Sequence, residues 1–370
     1  MCNALGIVNF SRNYIHVEGL QDYRPIGAFS FLGRYRVIDF PISNMSNSGI
    51  EYIQIYANKQ PRSLVEHVGT GRHYNINSKR GDLHMLFSET NITPIYDTDI
   101  AACINNMQYI KRAHQDYVII APSYMVYSMD YNELLENHME SGADITLVYH
   151  SVDNAKDNYL NCDTLDLNKQ KGVLAIERNR GTAKSKNIFM DTYVMKKTLF
   201  IELVEKAHKI SSMYTFAQIV NAECEELDIR GIAHRGYFAS ITDFKSYYDA
   251  NLSLLDAKTR GTLFDEEWPI YTRTNDSCPT HYFEEASIKN SIISNGCIIE
   301  GSVEGSIIGR GCVIKKGAVI KNSVILPGAV IGEDVRVENF VVDKYAIVNH
   351  VKEILATPEN PGYIKREDVI

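Results

Sequence analysis

Histidine, cysteine and carboxylate side chains are where metal or nucleophile chemistry would reside, and their spacing here gives it little footing. The 11 histidines are scattered singly, and none has metal-ligand spacing. The 7 cysteines, an odd number without a CxxC, fit free thiols in a reducing compartment, each a small buried apolar residue. Arg34, Arg36 and Asp39 read as an internal ion-pair set holding the first helix. Arg62, Arg72 and the pair Lys79-Arg80 read as a solvated basic loop. Asp243 stands directly before a helical stretch, where a carboxylate satisfies free backbone N–H groups as an N-cap.

The elements that must position such groups fall into two kinds. In the first two-thirds of the chain, short apolar runs alternate with amphipathic stretches. Ala4–Val8, Ile53–Tyr56, Tyr117–Ala121 and Ile145–His150 read as buried strands. Helices are expected from near Arg62, over Tyr131–Ser141, and across Asp243–Ala257, where Tyr247, Tyr248, Leu252 and Leu255 have core-like spacing. Strands alternating with helices predict a mostly parallel sheet with helices on both faces, a Rossmann-like α/β domain.

From Ser287 onward the pattern changes. A small residue precedes an aliphatic one again and again: Ser291-Ile292, Cys297-Ile298, Ser306-Ile307, Cys312-Val313, Ala318-Val319, Ser323-Val324 and Ala329-Val330. Glycines recur just ahead at Gly296, Gly311, Gly317 and Gly328. This degenerate six-residue repeat predicts a left-handed parallel β-helix, each short strand sending one aliphatic side chain into a triangular core. The expected division is 1–257 for the α/β domain, 258–284 for a linker rich in Pro, Thr, Asp and Ser, and 285–370 for the β-helix.

Composition narrows the function. The chain has 370 residues and a net charge of −8, with 38 Lys and Arg against 46 Asp and Glu and no basic block, so nucleic acid is not expected as a partner. No apolar run approaches a membrane-spanning length, and Met1–Phe10 lacks a basic segment or cleavage site, so a cytoplasmic location and no membrane partner are expected. An acyltransferase acting between solenoid coils would need a histidine there, and Ser287–Val342 contains none.

The segment Arg34-Tyr35-Arg36-Val37-Ile38-Asp39-Phe40-Pro41-Ile42-Ser43-Asn44, followed by Asn47-Ser48-Gly49-Ile50, resembles a specific segment of the glucose-1-phosphate adenylyltransferase (ADP-glucose pyrophosphorylase) family. Met129-Asp130-Tyr131, Tyr247-Tyr248-Asp249-Ala250-Asn251-Leu252, Trp268-Pro269-Ile270-Tyr271-Thr272 and Gly296-Cys297-Ile298-Ile299-Glu300-Gly301 extend the resemblance over essentially the whole chain. The family makes ADP-glucose from ATP and glucose-1-phosphate for glycogen or starch synthesis, and is typically tetrameric and allosterically controlled. Its chemistry uses a glycine-rich phosphate loop, cationic side chains and Mg²⁺.

At the positions matching that machinery, this sequence departs from the family. Counting back from Arg24, the paired loop glycines become Ser11 and Arg12, the next glycine becomes Tyr14, and the family arginine becomes His16. The family lysine falls at Ile26. The two metal-binding aspartates fall at Ser123 and Ser240, and the sugar-phosphate motif at Glu177-Arg178-Asn179 lacks its Lys and Pro. The segment Asp97-Thr98-Asp99-Ile100-Ala101 lacks a family Gly and Asp. Asn58 falls where the family contacts adenine, and Arg34, Arg36, Arg62 and Arg72 are candidates for a phosphorylated effector. Losing one preorganised donor costs on the order of 10²–10³ in rate. The resemblance is therefore closest to the family's non-catalytic, GlgD-type subunit. It implies no cofactor in this chain, Mg²⁺ in a catalytic homologous partner, a hetero-tetramer, and a regulatory role. The alternative is an active sugar-nucleotide pyrophosphorylase with a rebuilt site.

Overall fold

The computed structural model describes residues 2–57, 60–76, 81–87 and 98–370. Ala4–Asn9 is apolar along nearly its whole length and lies in the middle of a nine-stranded sheet. Leu5 and Ile7 enter one core and Ala4 and Val8 the other, as a strand covered on both faces requires. Tyr52–Ala57 and Tyr117–Pro122 flank it in parallel, and Asp82–Phe87 extends that edge. Lys186–Lys196 then runs antiparallel between Tyr117–Pro122 and Ile145–Val152, and Ile229–Ala233 closes the far edge parallel to Ile145–Val152. Asp163–Leu167 and Val173–Arg178 form a hairpin that joins through Ile188.

Helix Tyr131–Ser141 begins where the Asp130 carboxylate accepts the N–H groups of Asn132 and Glu133, and ends at Gly142, whose φ of 68° few side chains tolerate. Helix Phe244–Ser253 begins on a capping box between Asp243 and Ser246. Among the described residues no helix is long and apolar enough to cross a membrane.

The solenoid has three sheets of five parallel strands each. Ile299, Ile314, Ile331 and Val348 stack inward in one sheet, and Ile308, Ile325 and Val342 in another. A Cβ on Gly328, whose φ is 78°, would lie 2.5 Å from the Tyr345 ring, so the turn needs glycine there. The first solenoid strand is His281–Tyr282, inside the stretch expected as linker, and a short helix, Ala257–Gly261, crosses the other expected boundary.

One solenoid sheet docks on the α/β domain. Ile307, Val324 and Val341 point outward from it into the core shared with Phe29, Tyr247 and Leu254. Tyr248 Oη donates to the Asn322 carbonyl at 2.5 Å, and the Phe244 and Tyr363 rings meet edge to face at 5.6 Å.

Candidate functional site

Strand Ala4–Asn9 ends beside Tyr117–Pro122, and the chain leaving it forms the loop Phe10–Val17 over the C-terminal ends of both strands. Open parallel sheets bind ligands at this edge. Here the loop fills the position with its own side chains. The Arg12 side chain, 13% exposed, reaches into the cleft and pairs with Asp163 on the hairpin and, at 2.9 Å, with Asp191 on Lys186–Lys196. Tyr193 Oη and Tyr124 Oη each donate to Asp191 at 3.0 Å, on opposite carboxylate oxygens. Asp191 sits at φ 48° within a bulge between Phe189 and Tyr193. That left-handed backbone is unfavourable for a residue with a Cβ and is retained where the surroundings hold it, as the side chains of Arg12, Tyr124 and Tyr193 do here. Burial opposes the charge on Arg12, but Asp191 and Asp163 outweigh it and hold the guanidinium above its ordinary pKa.

Tyr14 closes over the same cleft. Its hydroxyl donates to Asp163 at 3.3 Å, and the Arg178 guanidinium lies 3.5 Å from the centre of its ring, a cation–π contact. Beyond it opens a cavity of about 480 Å³ lined by Arg12, Tyr14, Asp99, Asp163, Arg178 and Arg180, among others. Burial pushes the Asp99 carboxyl up to about 6, although it accepts the backbone N–H groups of Phe216 and Ile100.

The structure gathers five of the seven single positions that depart. Ser11, Arg12, His16, Ile26 and Ser123 all border a smaller cavity of about 160 Å³. Ser240 lies on the short strand Phe238–Ser240, paired with Met125 two residues beyond Ser123, and its hydroxyl accepts the Cys162 thiol at 3.3 Å. A divalent cation does not fit the residues at these two positions. Both present neutral hydroxyls where Mg²⁺ requires carboxylates, and the nearby carboxylates already hold a guanidinium. Sequence reasoning placed no acidic group in this cleft, and Asp163 and Asp191 correct that: they lie 151 and 179 residues from Arg12, and no local pattern joins them.

The effector candidates do not converge. Arg62 is 91% exposed and pairs with Glu66 one turn on. Arg34 and Arg72 are exposed, and Arg34 stacks over Tyr35 at 5.3 Å. Arg36 is half-buried and donates to the carbonyls of Ala28 and Ser63. The ion-pair set expected of Arg34, Arg36 and Asp39 does not form. Asp39 is fully buried and is met instead by His67 Nε2 and Tyr74 Oη, each at 2.6 Å, while Arg36 reaches it only through its backbone N–H at 2.8 Å. Asn58 and Lys79-Arg80 lie outside the described residues.

A cationic junction that the sequence did not announce joins the two domains. Buried Arg24 pairs with Asp343, which also accepts the Tyr363 hydroxyl at 2.8 Å. Lys344 follows, and burial with the nearby charges of Arg36 and Arg24 pulls its ammonium down to about 6.

The fold and the position of this cleft are those of a nucleotidyltransferase scaffold. Residues 22–257 match the nucleotidyl transferase family model, and residues 279–360 match the GlmU-like C-terminal hexapeptide model. The chain belongs to the nucleotidyl transferase family. It is similar to the glucose-1-phosphate adenylyltransferases of Bacillus thuringiensis (strain Al Hakam) and Bacillus anthracis. Each is 28% identical over 326 residues, spanning 87% of this chain and 86% of the relative.

Proposed function

We propose that this chain is a regulatory, catalytically impaired subunit in ADP-glucose synthesis, of the GlgD type, which modulates a catalytic homologue making ADP-glucose from ATP and glucose-1-phosphate. The observation that carries the reading is the placement of Arg12. Where the related enzymes have a glycine loop that approaches phosphate, this chain inserts a guanidinium bound to two aspartates. Serines at 123 and 240 and an aliphatic side chain at 26 remove the metal ligands and the lysine that would stabilise charge on the transferring phosphate. This chain then needs no cofactor of its own, and Mg²⁺ belongs to the partner. The intact α/β scaffold and docked solenoid support assembly with a homologous chain, and regulation requires that contacts with it differ between its active and inactive states. The cations Arg24, Arg36 and Lys344 at the domain junction support a phosphorylated effector as a ligand of this chain.

Co-expression with the catalytic homologue tests this. The two should co-purify, and the mixture should differ from the homologue alone in rate or effector response. Failure of both overturns the reading. The alternative, an active pyrophosphorylase with a rebuilt site, draws on the about 480 Å³ cavity beside Arg178 and Arg180. It requires turnover by the chain alone.

A further inference from the structure

Two corners of the solenoid follow one plan with different atoms. Where the coils enter the sheet docked on the α/β domain, the small residues are Ser291, Ser306 and Ser323. Each hydroxyl accepts a backbone N–H from the next coil, that of Ser306 at 3.1 Å, Ser323 at 3.0 Å and Phe340 at 3.1 Å. Where the coils enter the following sheet, the column reads Thr280, Cys297, Cys312, Ala329 and Ala346. Thr280 Oγ1 keeps the pattern by accepting the Cys297 N–H at 3.2 Å. Above it stand two thiols on adjacent coils, 1% and 0% exposed. They directly precede Ile298 and Val313, which pair in parallel register, so their Cα atoms are one strand spacing apart, about 4.8 Å. A disulfide spans Cα separations of about 4.4–6.8 Å. The serine column shows that such a corner does not require sulfur. The two sulfurs also differ in their affinity for a proton. The Cys312 thiol as a donor and, against burial, the backbone N–H groups of Cys312 and Gly311 and the Thr280 hydroxyl hold Cys297 below the ordinary thiol value. Burial and the neighbouring Cys297 hold Cys312 above it. A thiolate held by N–H donors beside a second thiol is the arrangement of a redox-active pair.

We propose that Cys297 and Cys312 form a reversible disulfide, with Cys297 as the attacking thiol, Cys312 as the resolving thiol and a hydroperoxide as the oxidant. The Cys297 thiolate attacks one oxygen of hydrogen peroxide. The S–O bond forms, the O–O bond breaks, and the leaving hydroxide takes up the proton that the thiol released, giving a sulfenic acid and water. The Cys312 sulfur then attacks the Cys297 sulfur. The S–S bond forms, the S–O bond breaks, and hydroxide leaves with the Cys312 proton as a second water. The two thiols are oxidised by two electrons in all, and one peroxide is reduced to two waters. The oxidant reaches Cys297 through a thin cover. His281–Tyr282 is the first strand of its sheet, and the stretch before it is held over the thiol by Thr280 Oγ1 on the Ser294 carbonyl at 2.6 Å and by Asn295 Nδ2 on the Ser277 carbonyl at 3.4 Å. The pair also lies beneath the domain junction. The turns leading into it, at Ser294–Gly296 and Ile308–Gly311, meet the α/β domain at Gly33, where a Cβ would lie 2.9 Å from the Ile308 carbonyl, and at Arg273, whose carbonyl accepts from Arg310 at 3.3 Å. A disulfide draws its Cβ atoms to about 3.8 Å, closer than the strand spacing, so oxidation pulls on these turns where they touch the other domain.

The proposal stands apart from the regulatory reading, because its test reads the thiol chemistry of this chain alone. The reduced full chain, treated with hydrogen peroxide under native conditions and digested without reductant, should yield the Cys297 and Cys312 peptides joined and lighter by two hydrogen atoms. Dithiothreitol should separate them. Cys312→Ser should stop at the Cys297 sulfenic acid, captured by dimedone, and Cys297→Ser should give neither product. Both variants place at this corner the residue that the serine column uses, so each should keep the parent's thermal unfolding. Cys278→Ser, at the exposed cysteine before the first strand, should form the link as the parent does. Unlinked Cys297 and Cys312 in the treated parent, a link from Cys297 to Cys278, or a link that forms only in denaturant would each overturn the proposal.

Discussion

The Arg12 Nη2 atom lies 2.9 Å from Asp191 Oδ1, and the same guanidinium reaches Asp163, so one loop side chain neutralises two carboxylates from separate elements of the sheet. A buried ion pair contributes modest net stability, but breaking it leaves charges that the cleft cannot solvate. This cation binds both aspartates from within the chain, and the proposal that the cleft does no phosphate chemistry rests on that placement.

Arg12→Met should therefore destabilise the chain by about 3–5 kcal/mol, read as a lower urea midpoint. Adding Asp163→Asn and Asp191→Asn to that variant should recover most of the loss. An Arg12→Met variant as stable as the parent would show the pairing to be superficial.

Asp99 gives a pH-dependent test. Its folded carboxyl is raised to about 6, above its unfolded value. Its contribution to stability is thus fully present below the unfolded pKa and is lost as pH rises through about 6. Asp99→Asn should match the parent in acid and exceed it at pH 7 by on the order of 2 kcal/mol. Denaturant midpoints across pH 4–8 check this; a constant difference would contradict it.

Lys344 works in the opposite sense. Its folded ammonium is lowered to about 6, so unfolding takes up a proton at neutral pH, and the destabilisation is greatest below that value and fades at alkaline pH. An anion bound at the junction should raise that pKa. Binding of a sugar bisphosphate at pH 7.5 should then take up protons, seen as calorimetric heats that depend on the buffer's ionisation enthalpy. Lys344→Met should abolish that dependence.

Within the solenoid, Ile331 is fully buried and its neighbour Val330 points outward. Ile331→Ala should cost about 2–5 kcal/mol, whereas Val330→Ala should cost far less. Thermal unfolding of the two variants makes the comparison, and equal losses would refute the inward and outward assignment.

How much of this was legible follows from what is local. Tyr131–Ser141 is read correctly to both ends because its cap and its terminating glycine are adjacent in sequence. The solenoid is legible because each coil repeats the same small-aliphatic pair. Strand Lys186–Lys196 escaped notice because the bulge at Asp191 breaks its alternation. The partners of Arg12 escaped because they arrive from 151 and 179 residues away, and Arg24 meets Asp343 across 319. Ser11, Ser123 and Ser240 are read one at a time in the sequence; only the fold shows that the Arg12 guanidinium sits in the cleft with two aspartates.

The most direct measurement is pyrophosphate release by the purified chain, alone, with ATP, glucose-1-phosphate and excess Mg²⁺, beside the catalytic homologue as reference. The account predicts no release above a no-enzyme control from this chain and full activity from the homologue. Release by this chain at a rate comparable to the homologue's would contradict it.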